Sequence, residues 1–296
     1  MTNNRTNGVT RAKFLLLLTA GALMASCTAV QTEPGAQALA SSISTPTAES
    51  REVESCRQLF AAAPLASALF EKGLNADEIR LVSWNMQKKS IPNWRDDYSR
   101  LTDGRDLILI QEASLRVDTV GDLPAVPHWS FAPGYRTSDS ITGVLTLSST
   151  QPLARCSFVN VEPLLRTPKA TSITQFALEG RDETLLVVNV HAVNFSLGLG
   201  AYKRQFAQIA NVLEGHQGPI ILSGDLNTWR AGRTRTIEAM AEGLELTAIE
   251  FSEDNRTRFL GSPLDHIYVR GLSATNSDSS VVTSSDHNPL TVTLGM

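Results

Sequence analysis

Ile220-Ile221-Leu222-Ser223-Gly224-Asp225-Leu226-Asn227 is the stretch on which the reading of this chain turns. Branched apolar side chains, then small residues, then an acid and an amide two apart describe a buried strand ending in a polar loop. The design recurs upstream. Asn85 follows Leu81-Val82-Ser83-Trp84, Glu112 follows Leu107-Ile108-Leu109-Ile110-Gln111, and His191 follows Leu186-Val187-Val188-Asn189-Val190. In α/β proteins the loops past the carboxyl ends of strands face one crevice, where ligands gather. Asp265 and Asp286-His287 instead precede apolar runs. They reach the same rim if those two strands run antiparallel to the others.

Short apolar runs at 80–84, 106–110, 143–147, 173–178, 185–190, 219–222, 267–269 and 290–294 are predicted strands. Between some of them the apolar spacing is helical. Phe206, Ile209, Ala210 and Leu213 form one core-facing stripe over 201–214, and Ile237, Met240, Ala241 and Leu244 form another over 234–244. Strands outnumber helices. The expected fold class is therefore α/β: a layered sandwich of mixed β-sheets flanked by helices.

The 296 residues, 42% hydrophobic and 19% charged with a net charge of −4, have ordinary globular composition. Three cysteines cannot form a disulfide scaffold. Mild acidity argues against gripping polyanions by bulk charge, but not against cutting phosphodiesters with a bound metal. No phosphate-binding P-loop, nucleophile elbow or dinucleotide fingerprint occurs. Oxygen-rich ligands without cysteine suit Mg²⁺, or Mn²⁺ in its place, and zinc fits poorly. Metal-assisted attack of water on a phosphoester remains.

Trp84-Asn85-Met86, Ile110-Gln111-Glu112, Asn189-Val190-His191, Ser223-Gly224-Asp225-Leu226-Asn227, Leu264-Asp265-His266-Ile267 and Ser285-Asp286-His287-Asn288-Pro289 occur in this order. The set resembles the endonuclease/exonuclease/phosphatase superfamily, with its DNase I-like fold of two mixed sheets, across roughly 80–296. The phrase from His191 to Gly198 is similar to a poorly characterised bacterial branch. The resemblance implies that Glu112, Asn85 and Asp286 hold the metal. It implies that Asp225 activates the attacking water and that Asn227 donates to a phosphate oxygen. His287, oriented by Asp265, would bind the phosphoryl oxygen or act as acid, and His191 would contact phosphate or protonate the leaving oxygen. Arg166 and Lys169 are weaker candidates for substrate phosphate. Phe195 and Leu197 form an apolar loop that could stack on a base, touch a lipid chain or belong to the core.

The amino terminus reads as an address. Arg5, Arg11 and Lys13 precede an apolar run over 14–25, and Met24-Ala25-Ser26-Cys27 resembles a bacterial lipobox. Residues 1–26 are thus an expected lipoprotein signal peptide, with Cys27 lipidated and Thr28 pointing to the outer membrane. A plain cleaved leader, giving a soluble periplasmic or secreted protein, is the alternative. Residues 27–50 read as a flexible tether, 51–79 as a helical lead-in and 80–296 as the catalytic domain. Cys56 and Cys156 could pair in an oxidising compartment. The expected function is an exported Mg²⁺-dependent phosphodiesterase acting as a monomer, a nuclease on DNA or RNA. The rivals are a phospholipid, sphingolipid or small-molecule phosphoesterase with the same site, and a non-catalytic binding lipoprotein.

Overall fold

A computed structural model describes residues 48–62, 73–115 and 126–296; the leader, Cys27 and the tether up to residue 47 lie outside them. In chain order its elements begin with β1 (Ala48–Ser50), α1 (Val53–Ala62), β2 (Ile79–Asn85), α2 (Trp94–Thr102), β3 (Leu107–Leu115), β4 (His128–Arg136), β5 (Ile141–Ser148) and β6 (Ala154–Val161). Then follow β7 (Pro168–Ala177), β8 (Thr184–His191), α3 (Gly200–Leu213), β9 (Ile220–Asp225), α4 (Ala231–Gly243), β10 (Thr247–Ala248), β11 (Arg258–Phe259) and β12 (Ser262–Pro263). The last three are β13 (Asp265–Arg270), β14 (Ser273–Ser279) and β15 (Leu290–Gly295).

One sheet has the order β1-β6-β7-β8-β9-β13-β10 and the other β14-β15-β2-β3-β5-β4, while β11 and β12 form a separate hairpin. Both are mixed: β8 and β9 run parallel, as do β2 and β3, and antiparallel partners flank each pair. Alternation along the strands builds the layers. Leu185 and Val187 of β8 meet Ile79 and Leu81 of β2 in a core between the sheets. Leu186, Val188 and Val190 turn outward against Tyr202, Phe206 and Ile209 of α3 and Ile237 of α4. Val82, Trp84, Ile108 and Ile110 turn outward from the second sheet beneath Trp94, Tyr98 and Leu101 of α2. The order is helix, sheet, sheet, helix.

All eight predicted strands and both predicted helices are present. The expected tether is too long at its carboxyl end, because Ala48 to Ser50 pair with Ala154 to Cys156 and Glu49 bonds Arg155 at 2.9 Å. Helix α1 lies in the expected lead-in. Cys56 on α1 and Cys156 on β6 form a disulfide, with their Cα atoms 5.6 Å apart. Among the described residues no helix is long and apolar enough to cross a membrane.

Candidate active site

Three adjacent strands put three site residues in one row. Asp225 ends β9, pairing with His191 at the end of β8 on one side and with Asp265 at the start of β13 on the other. This requires β13 to run antiparallel to β9, the condition set by the sequence. Gly224 makes the approach possible: its φ is +142°, and a Cβ there would stand 2.0 Å from the Val190 carbonyl oxygen. Only glycine tolerates both.

The second sheet supplies the opposite wall. Asn85 ends β2 and its Nδ2 donates to Asp225 Oδ2 at 3.1 Å. Glu112 sits in a bulge of β3 with φ of 49°, a conformation that re-aims its side chain. His287 lies in the loop before β15, held down by Trp84 Nε1 donating to its carbonyl at 2.8 Å. Ser285 Oγ fixes that loop further, donating to the Asn85 carbonyl at 2.6 Å and accepting from the His287 amide at 3.1 Å. The His287 Nδ1 meets Asp265 Oδ2 at 2.7 Å.

Charge is distributed unevenly. Burial opposes the His287 cation, but Asp265 by charge and hydrogen bond, with Asp225 and Asp286 behind it, raises the imidazole to about 10. His287 is an imidazolium at neutral pH. Asp225 is pushed up to about 6, chiefly by burial, with the nearby Asp265 and Glu112 adding to the rise and His287 and Lys169 opposing it. It is ionised at pH 7 yet basic enough to take a proton. His191 is driven well below 6.5 by burial, then by Lys169, His287 and Lys88. Its Nε2 lies 2.8 Å from the Lys169 ammonium and accepts from it. The same nitrogen lies 3.6 Å from both Glu112 Oε1 and Asp225 Oδ2, so His191 faces the site from the end of β8.

Lys169 is buried and belongs to the site, whereas Arg166 is exposed on the turn after β6. Asn227 Nδ2 donates to the Ala192 carbonyl at 3.2 Å; the amide has a second N–H that can face a ligand. Asp286 is exposed at the rim.

Lys88 and Arg233 escaped the sequence reading, and the joint role of Gln111 and Asn189 appears only in the fold. The Lys88 ammonium ion-pairs with Glu112, and its pKa is raised because Glu112 and Asp286 outweigh burial. Gln87, Lys88 and Lys89 all have positive φ, a turn that no residue type there announces. Arg233 on α4 is fully buried, with Nη1 donating to the Val193 carbonyl at 2.6 Å and to that of Asn227 at 3.2 Å. Its guanidinium lies over Tyr202 and Trp229, 4.5 and 4.9 Å from their ring centres. It thereby fixes the loops after β8 and β9. Gln111 Nε2 donates to Asn189 Oδ1 at 2.8 Å, and Asn189 Nδ2 donates to the Leu145 carbonyl at 3.0 Å, which joins the two sheets beneath the site.

Residues 82–287 match the sequence profile of the Endonuclease/Exonuclease/phosphatase family. The chain belongs to that family. A UPF0294 protein of Vibrio campbellii is 35% identical over 218 residues, covering 73% of this chain and 77% of its own. Another from Yersinia enterocolitica is 38% identical over 218 residues, covering 72% and 82%. In solved structures, an endonuclease/exonuclease/phosphatase of Beutenbergia cavernae superposes with a TM-score of 0.57 at 12% identity, over 74% of this chain and 72% of that one. The human Nocturnin catalytic domain gives 0.56 at 14%, over 76% and 97%. These neighbours share the DNase I-like fold of two mixed sheets and flanking helices.

Family membership makes the chain a hydrolase of phosphoester bonds, a class that typically uses a divalent metal. The donors suit one. Glu112, Asp286 and the Asn85 carbonyl offer only hard oxygens, and the Lys88 ammonium already seated on Glu112 marks where a cation is stabilised. Asp225, Asp265 and His287 also bring ligand atoms within 4.8 Å of one another. There the His287 ring is already hydrogen-bonded to Asp265 through Nδ1, and its positive charge offsets one of the two carboxylates.

Proposed function

We propose that this family member is an exported, divalent-metal-dependent phosphodiesterase. The observation that carries the reading is the row His191, Asp225, Asp265 with protonated His287 opposite, a base and an acid kept apart in charge by their surroundings. Asp225 takes a proton from water as the water oxygen bonds to phosphorus. The ester P–O bond breaks on the far side and the departing oxygen takes a proton from water, while His287, beside Asp225, donates its Nε2 proton in a hydrogen bond to a non-bridging phosphoryl oxygen. Asp265 holds that ring by Nδ1, and Asn85 and Asn227 keep the Asp225 carboxylate aimed. Glu112, Asp286 and Asn85 would hold Mg²⁺, or Mn²⁺ equivalently, which supplies neutralising charge to the phosphoryl group.

Export to an oxidising compartment is supported by the disulfide between Cys56 and Cys156 and by the leader-like 1–26 segment. Lipid attachment at Cys27 and outer-membrane residence are part of the proposal. A polynucleotide substrate would be tracked by cations ranged along the cleft. Here Lys169 is engaged by His191, which weakens the nuclease reading relative to a lipid phosphodiester.

The test is hydrolysis of bis(p-nitrophenyl) phosphate, plasmid DNA, RNA and phospholipid vesicles, with Mg²⁺ and with EDTA, beside Asp225→Ala. Metal-dependent turnover of at least one substrate, lost in the variant, is expected. Full activity in Asp225→Ala overturns the mechanism.

A further inference from the structure

Six large apolar side chains stand in solvent on three loops at the site end of the molecule: Leu164, Leu165, Phe195, Leu197, Phe259 and Leu260. Leu197 and Leu260 are 86% and 78% exposed, an unusual position for leucine unless something covers it. The loops are bonded into one platform. Buried Glu162, at the root of the first, accepts from the Asn194 and Phe195 amides of the second at 2.7 and 3.2 Å. Asn194 Oδ1 accepts from Trp229 Nε1 at 2.8 Å, and the Trp229 ring meets Phe259 of the third edge-on at 6.1 Å. The platform adjoins the chemistry, since Glu162 lies 3.8 Å from Lys169, the partner of His191.

We propose that these three tips enter a glycerophospholipid surface and set the site over a lipid phosphodiester headgroup. The inference rests on the phosphodiesterase reading and narrows its substrate. Four of the six tip residues are leucines, which fill an acyl layer and cannot stack on a base. Trp229, the ring best able to stack, is closed off by Phe259, Arg230 and Arg233. Arg166 stands beside the first pair and Arg230 Nη2 binds the Gly198 carbonyl beside the second, placing cations at headgroup level. The geometry of attachment agrees. β1 pairs with the end of β6 far from the tips, about 25 Å away at the usual rise per strand residue. The stretch from Cys27 to Ala48 can extend roughly 70 Å, so a chain anchored at Cys27 can turn its tips to the same membrane.

The full chain carrying Cys27→Ser, which removes the acylation site, is labelled with an environment-sensitive fluorophore at Leu197→Cys, Leu260→Cys or Met296→Cys. Met296 lies at the opposite end, where its amide bonds the Ala76 carbonyl. With vesicles of phosphatidylethanolamine and phosphatidylglycerol, both tip labels should shift to the blue while the Met296 label does not. No shift at the tips, or an equal shift at Met296, overturns the proposal. So does a tip response to single-stranded oligonucleotide without one to vesicles. Leu197→Asp and Leu260→Asp should each weaken vesicle binding roughly tenfold and leave hydrolysis of bis(p-nitrophenyl) phosphate unchanged. If that soluble ester is not hydrolysed by any form, the phosphodiesterase reading fails, and the tip labels still report docking on their own.

Discussion

Replacing Asp265 by asparagine keeps the shape of the side chain and removes its charge. In the native protein His287 is raised from 6.5 to about 10 against the effect of burial. At about 1.4 kcal/mol for each tenfold change in proton affinity, the imidazolium is favoured by of the order of 5 kcal/mol. Asp265 is the main source, through charge and through the 2.7 Å hydrogen bond. In Asp265→Asn the burial remains and that support is gone, so the ring should be neutral at pH 8. Two measurements check this: NMR titration of the His287 ring, and the pH dependence of kcat/KM. The native rate should rise as Asp225 ionises around about 6 and fall as His287 loses its proton around about 10. In the variant the alkaline limb should move down until it meets the acid limb, leaving a narrow, low profile. Stability follows the same sign. The contribution of protonated His287 is full below about 6.5 and disappears as pH rises through about 10. A native His287 titrating near 6.5, or one still protonated at pH 9 in Asp265→Asn, would refute the reasoning.

Other perturbations have equally definite outcomes. Asp225→Asn should abolish turnover and yet raise Tm at pH 8. Moving this carboxyl from 3.8 to about 6, the His287 attraction included, disfavours the folded state by up to about 3 kcal/mol above pH 6 and not at all below pH 3.8. Melting curves at both pH values check it. Gly224→Ala should destabilise by more than about 2 kcal/mol, read by urea unfolding, because its φ is strained for alanine and its methyl meets the Val190 carbonyl. Reducing the Cys56–Cys156 bridge, whose cysteines are 100 residues apart, should lower stability by about 4.7 kcal/mol in the chain-entropy picture, read the same way with and without reductant.

Strand ends carried most of what could be read in the sequence. Apolar runs closed by Asn85, Glu112, His191 and Asp225 are self-announcing, and Asp265 and His287 join them because β13 and β15 run antiparallel to their neighbours. Strands without that pattern stayed hidden. β4 contains Pro133 and Gly134, and β14 is Ser-Ala-Thr-Asn-Ser-Asp-Ser on an exposed sheet edge, polar along most of its length. The contact of His191 with Lys169 was out of reach of the sequence, because the two lie 22 residues apart and meet only through the pairing of β7 with β8. Arg233 carries no signal in the sequence that sets it apart from other helix cations. Only the fold shows it turned inward on backbone carbonyls. Lys88 follows Asn85 by three residues, but its aim at Glu112 depends on a left-handed turn and a bulge on another strand.

The buried amide pair Gln111 and Asn189 stitches one sheet to the other directly behind Glu112 and His191. Each sheet by itself carries only half of the reacting groups, so turnover measures the alignment of the stack rather than the presence of its strands. A chain swollen by mild acid or denaturant would retain its far-ultraviolet signature while its two half-sites drift out of register. Such a protein would pass as folded in a spectropolarimeter and be inert in a cuvette. The loop tips beyond the seam, by contrast, are free to change partner without disturbing it, so a new substrate can be acquired at the rim while the chemistry beneath stays the same.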